Sequence, residues 1–120
     1  MNYVDGFVLA VPEKNLKAYV RMAKMGKEMW MKHGALDYIE CVGDDLDTKM
    51  GTTFTRMMKM KPGETVVFSW IVFKSRAHRD RVNAKVMKEM EEKMGDMDMK
   101  DMPFDAKRMV YGGFKVLVEA

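Results

Sequence analysis

The chain has 120 residues, a formal net charge of +3 and 48% hydrophobic residues, which is typical of one folded domain spanning 1–120. Its 21 basic and 18 acidic residues are interleaved, so no basic face favours nucleic acid, and no apolar run reaches the roughly 20 residues of a membrane helix. The single cysteine excludes an internal disulfide, and no secretory signal precedes the first strand, so a cytoplasmic location is predicted.

The first half of the chain predicts a strand, a helix and a second strand. The apolar segment 3–11 is predicted to be a strand, and apolar residues then recur at helical spacing over about 13–33. Gly34 is predicted to end the helix, because glycine adopts the left-handed conformation without steric cost. A second strand is predicted over 36–42, and an acidic loop separates it from a further extended segment over 52–61.

The second half repeats the order strand, helix, strand. Residues 61–64 read Lys-Pro-Gly-Glu, which predicts a tight turn leading into an apolar strand that extends to Phe73. Ser75 is the predicted N-cap of a second helix, which carries an apolar stripe and ends near Gly95. A final strand is predicted over 108–118.

This order of elements predicts an α+β, ferredoxin-like fold, in which two split βαβ units form an antiparallel sheet with two helices on one face. The strand ending at Phe73 is apolar on both sides, with Val66, Phe68, Trp70 and Val72 on one face and Val67, Ile71 and Phe73 on the other. A sheet covered on one face only normally presents polar residues to water on its second face. We therefore expect a second copy of the chain to cover that face, giving a homodimer.

Several segments resemble a known family. They are 3–7, 33–36, 40–42, 68–70 and 75–80, together with the long motif Met102-Pro103-Phe104-Asp105-Ala106-Lys107-Arg108-Met109-Val110-Tyr111-Gly112-Gly113-Phe114. Nearly the whole chain resembles the YbaA-like family of small uncharacterised bacterial proteins. The resemblance implies a dimeric α/β barrel, in which two ferredoxin-like sheets face each other across the dimer, and it implies no established activity.

Small residues within the strands predict a pocket in the barrel interior. Gly6, Ser69 and Gly112 interrupt otherwise bulky strands, and a glycine inside a strand often marks the close approach of another group. With Trp70 beside them, these residues are candidates to bind a small organic molecule. The alternative is that the glycines admit large side chains of the partner subunit.

An enzymatic function is an alternative to simple binding. Cofactor-independent monooxygenases and isomerases occur elsewhere in the superfamily that the resemblance implies. Asp5, Arg56 and Tyr111 are the candidates for proton transfer or oxyanion stabilisation in such a reaction, and no cofactor is predicted. A third alternative is a structural or interaction protein that binds no ligand.

Arginines at the start of the second helix predict an anion site. Arg76 and Arg79 lie in its first turn, where free backbone N–H groups also favour anions. The alternative is that carboxylates such as Asp80 neutralise them. His33 is predicted to cap the first helix, and a surface position is one of two alternatives left open for His78.

Metal binding is not predicted. The two histidines and one cysteine lack the spacing of a zinc site, and Cys41 is interpreted as a buried apolar residue of its strand. The 16 methionines indicate adaptable packing. A Cu(I) site formed by Met94, Met97, Met99 and Met102 is an alternative that the intervening aspartates disfavour.

Overall fold

A computed structural model of the protein describes residues 1–95 and 101–120, and its strands form one antiparallel sheet. The strands are β1 (Tyr3–Pro12), β2 (Asp37–Val42), β3 (Glu64–Phe73) and β4 (Val110–Lys115). Their order in the sheet is β2-β3-β1-β4, which puts the two long apolar strands at the centre. This topology confirms the predicted ferredoxin-like α+β fold.

Local signals place the helices α1 (Leu16–Lys32), α2 (Phe54–Met57) and α3 (Arg76–Met94). The helix α1 ends at Lys32 with His33 as its C-cap, and Gly34 follows with a φ of 113°, as predicted. The hydroxyl of Ser75 accepts a hydrogen bond from the backbone N–H of His78 at 3.1 Å, which confirms the predicted N-cap of α3.

The predicted strand over 52–61 is wrong, because this segment contains α2. The side chain of Thr53 accepts a hydrogen bond from the backbone N–H of Arg56 at 3.0 Å, which starts a helical turn instead of an extended chain. The turn directs Met58 into a cluster with Val8, Ala10 and Val66, where its side chain is buried. Burial of one large side chain thus outweighs the extended pattern that was read from the sequence.

Arg108 fixes this segment to the start of the last strand. Its guanidinium donates to both carboxylate oxygens of Glu64 at 2.8 and 2.9 Å and to the carbonyl oxygens of Met58 and Lys59. The hydrogen bonds from Arg108 lower the pKa of the Glu64 carboxyl. Because residues 106–108 form a 3-10 turn, β4 begins at Val110 and is shorter than the predicted 108–118 strand.

The two faces of the sheet are covered differently. On the helix face, Val67, Ile71 and Phe73 are buried, as predicted. On the second face, the Met58 cluster covers only the end of the sheet near Val66. The remainder of this second face is called the open face below. Small and large apolar residues lie side by side on it, namely Val4, Gly6, Phe68, Trp70, Val72, Val110, Gly112 and Phe114.

Candidate functional site

A cavity of about 220 Å³ lies between the helix face of the sheet and the two long helices. Its walls are almost entirely apolar, and the side chains that form them include Met22, Met25, Met29, Met90, Met102, Phe7, Trp30 and Phe104. Methionine side chains are flexible and polarisable, and they can adapt to ligands of different shape. Five of the 16 methionines of the chain therefore line the same cavity.

The polar groups of this cavity lie together at one end, where the carboxylate of Glu40 stands opposite Ser69 in the strand pairing. Tyr38 and Glu40 are two residues apart on β2, so their side chains point to the same face of the sheet. The Tyr38 hydroxyl donates to Glu40 Oε2 at 2.6 Å, and the hydroxyl of Tyr19 on α1 donates to Glu40 Oε1. We call Tyr19, Tyr38 and Glu40 the carboxylate–phenol triad.

The triad holds its protons on the phenols. Burial, aided by the hydrogen bond and charge of Glu40, raises the pKa of Tyr19 and Tyr38 well above its ordinary value. Both hydroxyls therefore remain neutral donors at physiological pH. In the part of the chain that the structure describes, no basic side chain forms an ion pair with Glu40.

The triad also borders a second, outer groove of about 290 Å³ between α1 and β2. Tyr19, Tyr38 and Glu40 line both spaces, whereas Lys24 and Lys27 line only the groove. The triad thus separates the apolar cavity from a more open depression on the edge of the sheet.

A hydrogen-bonded chain positions one wall of the cavity. Trp30 Nε1 donates to Asn83 Oδ1 at 2.9 Å, and Asn83 Nδ2 donates to Asp5 Oδ2 at 3.5 Å. Asp5 in turn accepts from Arg79 at 2.7 Å. The indole of Trp30 is thereby tied to both β1 and α3.

Sequence reasoning did not select the triad as a site. A tyrosine and a glutamate separated by one residue in a predicted strand were an available signal, because they share a face. The third member, Tyr19, lies 19 residues before Tyr38 on a helix, and only the packing of α1 against β2 reveals that it joins them.

The structure divides the predicted ligand-binding residues between the two faces of the sheet. Gly6 is paired with both Trp70 and Gly112 on the open face, where they border a shallow depression. Ser69 lies on the helix face, opposite Glu40 in the pairing of β2 with β3, so its assignment to the same pocket is wrong. The ring of Phe114 lies over Gly6 and Gly112, so a large side chain of the same chain occupies part of the space above the glycines.

The three predicted catalytic residues are not brought together. Asp5 is buried on the helix face and bound to Arg79. Tyr111 is 67% exposed, and its ring stacks on Phe7. Arg56 is exposed on α2, which covers the opposite side of the sheet. These candidates therefore lie at separate places in the structure, and a catalytic role for any one of them stays a prediction.

Arg79, one of the two arginines of the predicted anion site, already forms ion pairs with carboxylates of the same chain. Its guanidinium donates to Asp5 at 2.7 Å and to Asp80 at 2.8 Å, and it lies 5.0 Å from the centre of the Tyr3 ring. This is the alternative that the sequence analysis left open. Arg76 is exposed, and binding of an anion there stays a prediction.

The two histidines, His33 and His78, form hydrogen bonds within the fold. His33 caps α1 and its ring contacts Glu89 at 2.9 Å; hydrogen bonds from Lys32 and His33 lower the pKa of Glu89 to about 2. His78 accepts a hydrogen bond from the backbone N–H of Lys74 at 3.0 Å.

The interpretations of Cys41 and of the methionine cluster as a copper site have different outcomes. Cys41 is exposed at the edge strand, so its interpretation as a buried residue is wrong. Met97 and Met99 of the alternative copper site lie outside the described residues.

Among residues 1–95 and 101–120, no helix combines the length and apolar composition needed to cross a bilayer. The cytoplasmic location stays a prediction.

Comparisons with known proteins agree with the fold and the resemblance. The chain is 41% identical over 123 residues to the uncharacterized protein YbaA of Escherichia coli K12, and equally to that of Shigella flexneri, with 99% of each chain covered. A crystal structure of a dimeric ferredoxin-like protein from an uncultured marine organism is similar, with a TM-score of 0.54, 11% identity and full coverage of both chains. Residues 2–106 match the family described as protein of unknown function DUF1428. The chain therefore belongs to this family, as its resemblance to YbaA-like proteins implied.

Proposed function

We propose that this protein binds a small, largely apolar organic molecule in the cavity between its sheet and helices. The observation that carries the proposal is a small cluster of polar groups at one end of a largely apolar space. Ligand sites commonly combine apolar walls with a few convergent polar groups that fix the orientation of the ligand. The cavity on the helix face thus combines the apolar walls and polar groups of a ligand pocket, which the sequence predicted for the barrel interior instead.

The volume of the cavity limits the size of the ligand. An apolar protein cavity of about 150 Å³ accommodates benzene. The cavity here, at about 220 Å³, suits a molecule with one or two rings and a short polar substituent. Such a ligand would contact the methionine walls with its rings and the triad with its substituent.

Naphthylmethanol is a probe of this size, and we expect it to bind the wild-type protein. With about 0.5 kcal/mol per non-hydrogen atom, its Kd is on the order of 100 µM, measured by isothermal titration calorimetry. Ala23→Phe should abolish binding, because residue 23 lines the cavity and the added ring fills it.

Ala84→Phe is the matched control, since it adds the same ring at an exposed position of α3. Circular dichroism should show that both variants are folded. Equal binding by both variants, or no binding by the wild-type protein, would contradict the proposed function.

We also propose that two copies of the chain associate through their open faces. An exposed apolar surface of this kind favours burial against a partner. Phe68 and Phe114 are 42% and 62% exposed on it. A homodimer is supported by the similar marine protein, which is described as dimeric, and two facing sheets would form the α/β barrel that the family resemblance implies.

The dimer predicts a mass of twice 13.9 kDa in analytical ultracentrifugation at micromolar concentration. Phe68→Glu should yield a monomer, because a carboxylate at the centre of the interface would be desolvated without a partner. Met31→Glu is the control, since Met31 is also 42% exposed but lies on α1. A monomeric wild-type protein, or equal effects of the two substitutions, would refute the dimer.

A further inference from the structure

We propose that the molecule bound in the cavity carries a protonated amine, which the carboxylate–phenol triad receives. This inference rests on the proposed function and adds the chemical class of the ligand. It follows from the hydrogen bonds that the triad already makes and from the acceptor lone pairs that it leaves free.

Both phenol protons are directed at Glu40. A tyrosine hydroxyl has one proton to donate, and those of Tyr19 and Tyr38 are committed to the two carboxylate oxygens. What the triad leaves free is a set of lone pairs, on the two phenol oxygens and on the carboxylate, and the Ser69 hydroxyl opposite Glu40 can accept as well as donate. A ligand that offers only acceptors, such as a carboxylate or a ketone, finds no donor in the triad.

The charge of the triad is also unbalanced. Each oxygen of the Glu40 carboxylate accepts a hydrogen bond from a neutral phenol, and no basic side chain of the described residues pairs with it. Lys24 and Lys27 line the outer groove and are not part of the cavity lining. An ammonium group entering from the cavity would supply both the missing donors and the missing positive charge.

The walls of the cavity suit the same group. Aromatic faces attract cations through their ring quadrupole, and Phe7, Trp30 and Phe104 lie among the lining residues. Because these walls are apolar, water screens the attraction between an ammonium and Glu40 less than it would at the surface. An alcohol could donate one hydrogen bond to the triad but would leave the charge uncompensated.

Three compounds with the same naphthyl body separate these cases: naphthylmethylamine, naphthylmethanol and naphthoate. Titration calorimetry with the wild-type protein should give a Kd for the amine about tenfold lower than for the alcohol, because its hydrogen bonds are charge-assisted. The naphthoate should show no measurable binding, since its carboxylate meets the like charge of Glu40 and no free donor in the triad.

Glu40→Gln should remove the preference by weakening the amine to the level of the alcohol while the alcohol still binds. Tyr38→Phe provides a second variant that tests the same idea in the opposite direction. It frees one carboxylate oxygen for the ligand, so the preference for the amine should persist or increase. Tyr111→Phe is the control, because it removes a hydroxyl from a residue outside the cavity lining.

The outcomes distinguish the two proposals. If the alcohol binds but the amine binds no tighter, the class of ligand is wrong and the proposed function stands. The same holds if naphthoate binds as well as the amine, or if Glu40→Gln leaves the preference unchanged. If none of the three compounds binds, the proposed function itself is wrong.

Discussion

Gly113→Ala should lower the free energy of unfolding by about 3 kcal/mol, as expected for overpacking against side chains that cannot move. A Cβ atom at this position would lie 2.8 Å from ring atoms of Tyr3, well inside van der Waals contact. Tyr3 is buried, and the guanidinium of Arg79 lies 5.0 Å from the centre of its ring. The ring therefore cannot turn away without disturbing its buried contacts, including the one with Arg79.

Gly112→Ala is the matched control for this prediction. A Cβ atom there would lie 3.9 Å from Phe114, which is ordinary contact, and the loss of glycine flexibility in the unfolded chain offsets small costs. We expect its free energy of unfolding in urea to stay within about 1 kcal/mol of wild type. Equal losses in the two variants would show that Tyr3 does not pack against Gly113 in this way.

Arg79→Met should also cost about 3 kcal/mol, because removing one partner of a buried ion pair leaves an uncompensated charge. The side chain of Asp5 is 7% exposed, and its remaining polar contact is with Asn83 at 3.5 Å. Asp80→Ala is the control, since Asp80 also binds Arg79 but its side chain is 60% exposed. Its loss should be within about 1 kcal/mol, as for other exposed ion pairs.

The effect of Arg79→Met should depend on pH. Burial already raises the pKa of Asp5, and Arg79 opposes that rise, so the substitution should raise this pKa further. A carboxyl with a higher pKa in the folded than in the unfolded state binds protons more readily when folded, so lowering the pH through that range favours folding. The deficit of the variant should therefore be largest at neutral pH and shrink in acid.

Urea titrations of both proteins between neutral and acidic pH measure this difference. A deficit that stays constant, or that grows as the pH falls, would contradict an uncompensated Asp5 carboxylate as its cause. The double variant Asp5→Asn with Arg79→Met should recover part of the lost stability, since it removes the unpaired charge.

Local signals predicted most of the fold. The alternation of Val67, Ile71 and Phe73, the cap at Ser75 and the positive φ of Gly34 each depend on a few neighbouring residues. The helix α2 was missed because its formation depends on the burial of Met58 against β1 and β3, which lie far away in the sequence. Tertiary packing there outweighs the local pattern.

The candidate site was less accessible to sequence reasoning for the same reason. Glu40 and Tyr38 share a strand face, but the role of Tyr19 depends on how α1 packs on β2. Asp5 was selected for chemistry, whereas its pairing with Arg79, 74 residues away, makes it part of the hydrogen-bonded support of Trp30. Long-range pairing decides which polar residues face a cavity and which are neutralised.

The location of a bound molecule tests the central claim most directly, and the methionines report it. In an NMR titration of isotope-labelled methionine methyl groups with naphthylmethanol, we expect the largest shifts at Met22, Met29 and Met90, which line the cavity. The signals of Met58 and Met60, which pack on the other side of the sheet, should stay in place. Shifts confined to Met58 and Met60 would instead place the molecule on that side and contradict a binding site between sheet and helices.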